Sequence, residues 1–231
     1  GYGTAKPLRM SVMGGMMAGS PGRVVYHESH DESGNSAGSA RNIEVAVNGM
    51  LFDNTRNWGE ARCRAVAGMT FFSAGTPMFF MGEEVCAREL YRHDDFLEHR
   101  EDYRAMRAND GGGMFRFYQD AIRLRRENAA LRSACVAVLK VHNQQRILAW
   151  HRWQGDQEFV IIASLSNTPY PDGYALTHKN LKGKVWTEVL NSEAPIYGGP
   201  GGGNPGDVDS GGGTMTVAIP ACGILVFARK S

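Results

Sequence analysis

Five of the six residues from His27 to Glu32 can titrate: His27, Glu28, His30, Asp31 and Glu32. They follow the apolar triplet Val24-Val25-Tyr26, which reads as a short buried strand. Burying so many ionisable groups is costly unless they are paired or used. Three chemistries fit the residue types. Two histidines and several carboxylates are metal-ligand types, but His-Glu-x-x-His fails because the fourth residue after His27 is Asp31. A network of mutually satisfied polar groups at a strand end is the second. The third is chemistry on sugars, where a carboxylate stabilises an oxocarbenium-like state and a neighbouring histidine donates to a hydroxyl. Spacing alone leaves all three open.

The elements that must position this cluster repeat one pattern. Pro21-Gly22 turns the chain into the strand at Val24 to Tyr26. A loop, Ser33 to Ser39, follows the polar cluster. A helix is predicted from Asn57, with Asn57 as cap, Glu60 as its capping-box partner, and Ala65, Met69 and Phe72 on one face. Gly75 and Pro77 end it. Met78-Phe79-Phe80-Met81 then reads as a second buried strand, followed at once by Gly82-Glu83-Glu84. Open α/β folds place their chemistry at such carboxyl ends of strands. A charged stretch over residues 85–110 leads to an amphipathic helix striped by Phe115, Tyr118 and Ile122 and widened by Phe117, Ala121 and Leu124. Its Arg123, Arg125 and Arg126 are expected on the solvated side or paired with acids. The Met-rich segment Leu8 to Met17 reads as the end of a helix with core-filling methionines.

Beyond Ala134 the character changes. Val136 to Val141, Arg146 to Trp153, Phe159 to Leu165, Lys184 to Leu190, Thr214 to Ile219 and Gly223 to Ala228 read as strands of an antiparallel sandwich. Gly198 to Gly213 is expected to be a mobile loop; its single Gly-Gly-Gly-Asn-Pro-Gly-Asp-Val-Asp run is too little for a calcium-binding repeat. Two parallel strands cannot make a sheet covered on both faces. More strands must come from elsewhere, and Gly1 in place of an initiator methionine suggests an excised piece.

Composition narrows the function classes. A net charge of +1 on 231 residues argues against electrostatic capture of nucleic acid or anionic membrane. No apolar run is long enough to span a bilayer. Four scattered cysteines, with no CxxC pair, read as free thiols in a reducing, cytoplasmic setting.

Three stretches together resemble a known family. Tyr26-His27-Glu28-Ser29-His30-Asp31-Glu32 is similar to the histidine-aspartate motif after the seventh barrel strand of the alpha-amylase family, glycoside hydrolase family thirteen. Its Ser-His-Asp-Glu wording is nearest that family's 1,4-alpha-glucan branching enzymes. Gly75-Thr76-Pro77-Met78-Phe79-Phe80-Met81-Gly82-Glu83-Glu84 resembles the eighth-strand motif, and Phe117 to Asn128 the last barrel helix. The resemblance implies the last two strand-helix units of a (β/α)8 TIM barrel over residues 1–132, and a C-terminal all-β domain over 133–231. It implies catalytic roles for Asp31, as transition-state stabiliser, and for His30, which would bond the same sugar. Glu84 and Glu32 would contact substrate, while Glu28 and Glu83 would meet substrate or solvent. No cofactor or metal is implied.

The family's nucleophile and general acid follow its fourth and fifth strands, and nothing here resembles those motifs. Gly113-Met114-Phe115-Arg116-Phe117 imitates the nucleophile motif but lacks the aspartate. The expectation is therefore a C-terminal part of a retaining α-glucan enzyme, inactive by itself, whose partners are an α-glucan and the N-terminal remainder. Branching is the first reading, hydrolysis the nearest alternative. A non-catalytic sugar-binding module, with Trp150, Trp153 and Trp186 as stacking candidates, is the rival class.

Overall fold

The computed structural model describes residues 10–18, 22–35, 38–92 and 100–230. Its helical part contains α1 (Met10–Met17), β1 (Val24–Val25), α2 (Asn42–Ala46), α3 (Asp53–Phe72), β2 (Thr76–Pro77), α4 (Tyr103–Ala108), α5 (Gly112–Glu127) and α6 (Ala129–Arg132). Eight strands follow: β3 (Val136–His142), β4 (Ile147–Gln154), β5 (Gln157–Ser164), β6 (Tyr170–Thr177), β7 (Val185–Asn191), β8 (Asp207–Asp209), β9 (Thr214–Ile219) and β10 (Ile224–Arg229).

The eight strands form two antiparallel sheets, ordered β3-β4-β5-β10-β7-β8 and β6-β9. The strands alternate side chains between two faces, and the large sheet uses both. One face, with Ile147, Ala149, Val160, Ile162, Leu225 and Phe227, closes on Leu176, Met215 and Val217 of the small sheet. The other, with Leu148, Trp150, Ile161 and Val226, packs against Met10, Phe72, Phe117 and Leu131 of the helices. Burying each such aliphatic side chain contributes about 1.5–3 kcal/mol. That second cluster is continuous across the boundary expected at residue 132.

The predicted strands occur, with two additions. β6 carries a Pro, an Asp and a Gly that mask its alternation. β8 lies inside the glycine-rich stretch read as a mobile loop. Side chains hold that loop. Asn204 donates to Glu188 Oε2 at 2.8 Å, and its amide oxygen accepts from Ala218 N–H at 2.7 Å. Asn191 Nδ2 donates to Gly202 O at 2.6 Å.

The helical part departs further from expectation. β1 and β2 are two-residue parallel strands, and Val24, Tyr26, Met78, Phe79 and Met81 are exposed rather than buried. Among the described residues no further strand flanks this two-stranded ladder, and of these side chains only Phe79 gains ring contacts, with Phe71 and Tyr118. α3 begins four residues before Asn57: Phe52 is the cap position, and its N–H donates to Thr55 Oγ1 at 2.8 Å. In α5 the buried stripe centres on Phe117, Tyr118 and Ala121, while Arg107 sits 4.0 Å over the Phe115 ring.

Arg125 is the sharpest correction, because it does not face solvent. Arg125 Nη1 donates to Phe71 O at 2.6 Å and Ser73 O at 3.0 Å, and its Nη2 to Gly75 O at 2.8 Å. Arg152 of β4 donates to Phe72 O at 2.9 Å and to Ser73 O, Leu131 O and Ser133 O. Trp150 Nε1 also reaches Phe72 O, at 2.9 Å. The last carbonyls of a helix lack partners within it and carry its partial negative charge. Here cations from a helix and a sheet satisfy them. Burial, with repulsion from Arg132 at Arg125 and from Arg125 at Arg152, pulls each guanidinium down to about 10. Both therefore stay charged at neutral pH. Arg152→Met should cost about 3 kcal/mol or more in urea unfolding, because it strands buried carbonyls. A midpoint unchanged from wild type would contradict this capping role.

Candidate active site

The site is assembled at the carboxyl ends of β1 and β2. Val24 and Val25 pair with Thr76 and Pro77, so the residues after each strand emerge at one end. After β1 the chain turns through Asp31 to Asn35, and Ser33 O accepts from Tyr91 N–H at 2.9 Å. Gly34 lies so close to the Tyr91 carbonyl that a Cβ would sit 1.5 Å from its oxygen. After β2 the turn at Gly82 has φ 95°, and a Cβ there would meet Ala87, Arg41 and Tyr103 within 3.0 Å.

These turns split the charged residues into a buried and an exposed set. Glu28 and Arg41 are both fully buried, with Arg41 Nε 2.7 Å from Glu28 Oε1. Ser33 Oγ and Asn42 N–H also donate to that carboxylate. Arg41 Nη2 continues to Met81 O at 3.0 Å, linking the two turns. Glu83 accepts from Phe80 N–H at 2.7 Å and Tyr118 O–H at 2.9 Å, and lies 2.9 Å from His27 Nε2. His27 Nδ1 faces Thr70 Oγ1 of α3 at 3.0 Å. Glu28 and Glu83 thus meet protein groups, contrary to the expectation of substrate or solvent.

His30 and Asp31 form the exposed set, with side chains 55 % and 67 % accessible and His30 Nε2 3.3 Å from Asp31 Oδ1. Glu32 accepts from Ser29 Oγ and lines a cleft of about 440 Å³ beside β1, with His27, Tyr26 and Met16. Glu84 bends back onto its own turn, where its Oε2 accepts from Gly82 N–H at 2.8 Å. The structure therefore brings His30 and Asp31 together in the open, with Glu32 at the cleft. Glu84 is engaged in holding the Gly82 turn.

Sequence reasoning missed Arg41, Thr70 and Tyr118, which come from three helices or their approaches. Only a count of buried acids needing partners could have pointed to them. Of the tryptophans, Trp150 and Trp186 are fully buried and belong to the core. Trp153 has one face stacked on the His151 ring, with centroids 4.8 Å apart.

Burial is the largest influence on Glu28 and raises its pKa despite the attraction of Arg41. The folded state then holds this proton more tightly than the unfolded chain. The resulting stability is complete below the unfolded glutamate value, about 4.3, and is lost as pH rises through the raised folded value. Glu28→Gln abolishes that component. The Tm of wild type minus that of Glu28→Gln should fall as pH is raised from about 4; a difference constant with pH would contradict it.

Comparison with known proteins identifies the all-β part and the relatives of the chain. Residues 139–230 match the family model described as "Alpha amylase, C-terminal all-beta domain". The 1,4-alpha-glucan branching enzyme GlgB of Pseudomonas syringae pv. tomato is 28 % identical over 184 residues, 74 % of this chain and 24 % of that enzyme. The GlgB of Novosphingobium aromaticivorans is 28 % identical over 220 residues, 92 % of this chain and 28 % of the relative. The chain thus spans about a quarter of the length of the curated relatives it matches. Among solved structures, the alpha-amylase from Geobacillus thermoleovorans superposes with a TM-score of 0.66 at 14 % identity, over 96 % of this chain and 46 % of that one. The pullulanase from Bacillus acidopullulyticus superposes with a TM-score of 0.67 at 17 % identity, over 98 % of this chain and 27 % of that one. Residues 139–230 therefore belong to the alpha-amylase C-terminal all-β domain family, and the chain as a whole is similar to about a quarter of the length of enzymes named 1,4-alpha-glucan branching enzyme.

Proposed function

We propose that this chain is the C-terminal part of a cytoplasmic, retaining 1,4-alpha-glucan branching enzyme. Residues 1–132 contribute the last two strand-helix units of a (β/α)8 barrel, and residues 133–231 the all-β domain. The observation that carries the reading is the exposed His30–Asp31 pair following a parallel strand, next in sequence to Glu32, which lines an open cleft. A sealed ion pair at that position would have spoken for a purely structural cluster.

In the assembled enzyme Asp31 supplies negative charge beneath the sugar whose anomeric carbon becomes cationic. His30 donates a hydrogen bond to a hydroxyl of the same sugar. Glu32 binds substrate along the cleft, and Glu84 reaches the sugar only through the turn it braces. The buried Glu28–Arg41 and His27–Glu83 contacts hold the two turns in register, so the exposed pair is positioned before substrate arrives. An α-1,4 link is cleaved through a covalent glycosyl-enzyme and transferred to a 6-hydroxyl. The nucleophile and the general acid come from the N-terminal remainder, whose neighbouring strands also cover Val24, Tyr26, Met78, Phe79 and Met81. The exposure of those five apolar side chains supports such a partner. Hydrolysis of the same link is the second reading. It shares every residue named here and differs only in the acceptor.

The 231-residue chain by itself is expected to leave the iodine-stained absorbance of amylose unchanged, whereas the chain joined to its upstream region should shift it. In the joined protein Asp31→Asn should lower turnover by about a hundredfold or more, since electrostatic stabilisation of the transition state is lost. Wild-type turnover in Asp31→Asn would overturn the proposed role, and turnover by the isolated chain would overturn the division of labour.

A further inference from the structure

Two of the cysteines meet inside the helical part. Cys63 lies in the middle of α3, Cys86 closes the short helical turn Glu83–Val85, and both are buried free thiols. The two thiols share a hydrogen bond, and Asn42 Nδ2 of α2 donates to Cys63 Sγ at 3.3 Å. Cys86 N–H donates to Glu83 O at 3.1 Å, and the Cys86 backbone is left-handed, with φ 56° and ψ 47°. That conformation is strained for a residue with a Cβ and persists only where the surroundings hold it. Cys222, by contrast, spends its thiol on Ser166 O at 3.4 Å and Asn167 Oδ1 at 3.2 Å.

The surroundings of the pair decide what it can do. Among the described residues no three histidines, cysteines or carboxylates are placed to hold a metal ion, so each thiol has the other as its reaction partner. The hydrogen bond to Cys86, burial, and the Glu28 and Glu83 carboxylates push the Cys63 thiol well up, so it keeps its proton at neutral pH. A thiol held in that form is a poor nucleophile toward outside reagents. Cys86 ends a three-residue turn, which opens more readily than the interior of a twenty-residue helix. Cys86 therefore meets a small oxidant first. Its sulfur attacks one oxygen of a hydroperoxide, the O–O bond breaks, and the thiol proton goes to the departing oxygen, which leaves as water or alcohol. The sulfenic acid so formed is attacked by Cys63 Sγ; the S–S bond forms, the S–O bond breaks, and the hydroxyl leaves as water with the Cys63 proton. The two thiols supply both electrons, and the peroxide takes them.

We propose that Cys63 and Cys86 are a hydroperoxide-sensitive pair that closes to a reversible disulfide and thereby slows the chemistry at the His30–Asp31 site. The bond itself stands on the thiol geometry, and its effect on turnover rests on the α-glucan reading above. An S–S bond is about 2.05 Å long, shorter than any contact between unbonded thiols, so closing it draws Cys86 toward α3. Glu83 belongs to the same turn, and its contacts with Tyr118 and His27 help to hold the two site turns in register. Moving that turn shifts the support of the exposed pair. A reducing compartment keeps the pair as thiols until an oxidant arrives.

Peptide mapping of the 231-residue chain after treatment with hydrogen peroxide tests the bond. The peptides that carry Cys63 and Cys86 should appear joined and lighter by two hydrogens, and dithiothreitol should release them. Cys222→Ser should form the same link. Cys63 and Cys86 both remaining free thiols while Cys135 or Cys222 oxidises would overturn the inference, as would a link that joins two copies of the chain. The second arm measures amylose turnover by the chain joined to its upstream region. Peroxide should lower it about tenfold, and dithiothreitol should restore it. Cys63→Ser and Cys86→Ser, checked for equal Tm under reducing conditions, should keep their turnover in peroxide. A Cys63–Cys86 link that leaves turnover at the reduced level would overturn the coupling to the site. Absence of turnover in both redox states would count against the α-glucan reading instead, and the peptide map would still judge the disulfide.

Discussion

The carbonyl end of α3 is the point on which the rest of this structure depends. Four carbonyls, of Phe71, Phe72, Ser73 and Gly75, would be orphaned there. Arg125 from α5 and Arg152 from β4 supply charged donors to them. A cation near a helix carboxyl terminus is favourable by itself, but burial raises the stakes: losing either guanidinium exposes carbonyls to an interior without water. The arrangement also joins three layers at one spot. α3 is tied to α5 on one side and to the large sheet on the other, and the chain leaves this knot through Gly75 directly into β2. The start of the second site strand is therefore fixed by the all-β part.

From that anchor the site is built outward by polar contacts rather than by a sheet. β1 and β2 share only two residue pairs, too few to hold the two turns that follow them rigidly. The Glu28–Arg41 pair, the Arg41 bond to Met81 O, and the Glu83 contacts to Tyr118 and His27 substitute for the missing ladder. Arg41, Ser33 and Asn42 around Glu28 offset part of the cost of burying it, and Phe80 N–H, Tyr118 and His27 surround Glu83. The consequence is a division within one short motif. Glu28 and Glu83 are consumed in holding the turns, and the neighbouring His30 and Asp31 are left outward with little to bind but each other.

Much of the all-β part was readable from sequence because its strands are long, apolar and separated by turn residues. β6 and β8 escaped because Pro, Asp and Gly interrupt their patterns, and because register with β9 and β7 is a long-range property. The helical part was less legible for a different reason. Val24-Val25-Tyr26 and Met78 to Met81 have the composition of buried strands, and burial depends on neighbours that a strand's own composition cannot show. Arg125 looked solvated because a helix periodicity cannot show which polar residue faces a row of carbonyls. The exposed pair itself was legible, as types and as a motif, whereas its supporting partners Arg41, Thr70 and Tyr118 come from distant segments with no shared pattern.

The proposed placement of a sugar over the exposed pair can be read directly by nuclear magnetic resonance of the histidine rings in the chain joined to its upstream region, during titration with maltotetraose. The ring signals of His30 should shift with saturable dependence on ligand, while those of His27, enclosed between Thr70 and Glu83, should stay in place. Saturable binding that leaves the His30 signals unmoved would contradict the account.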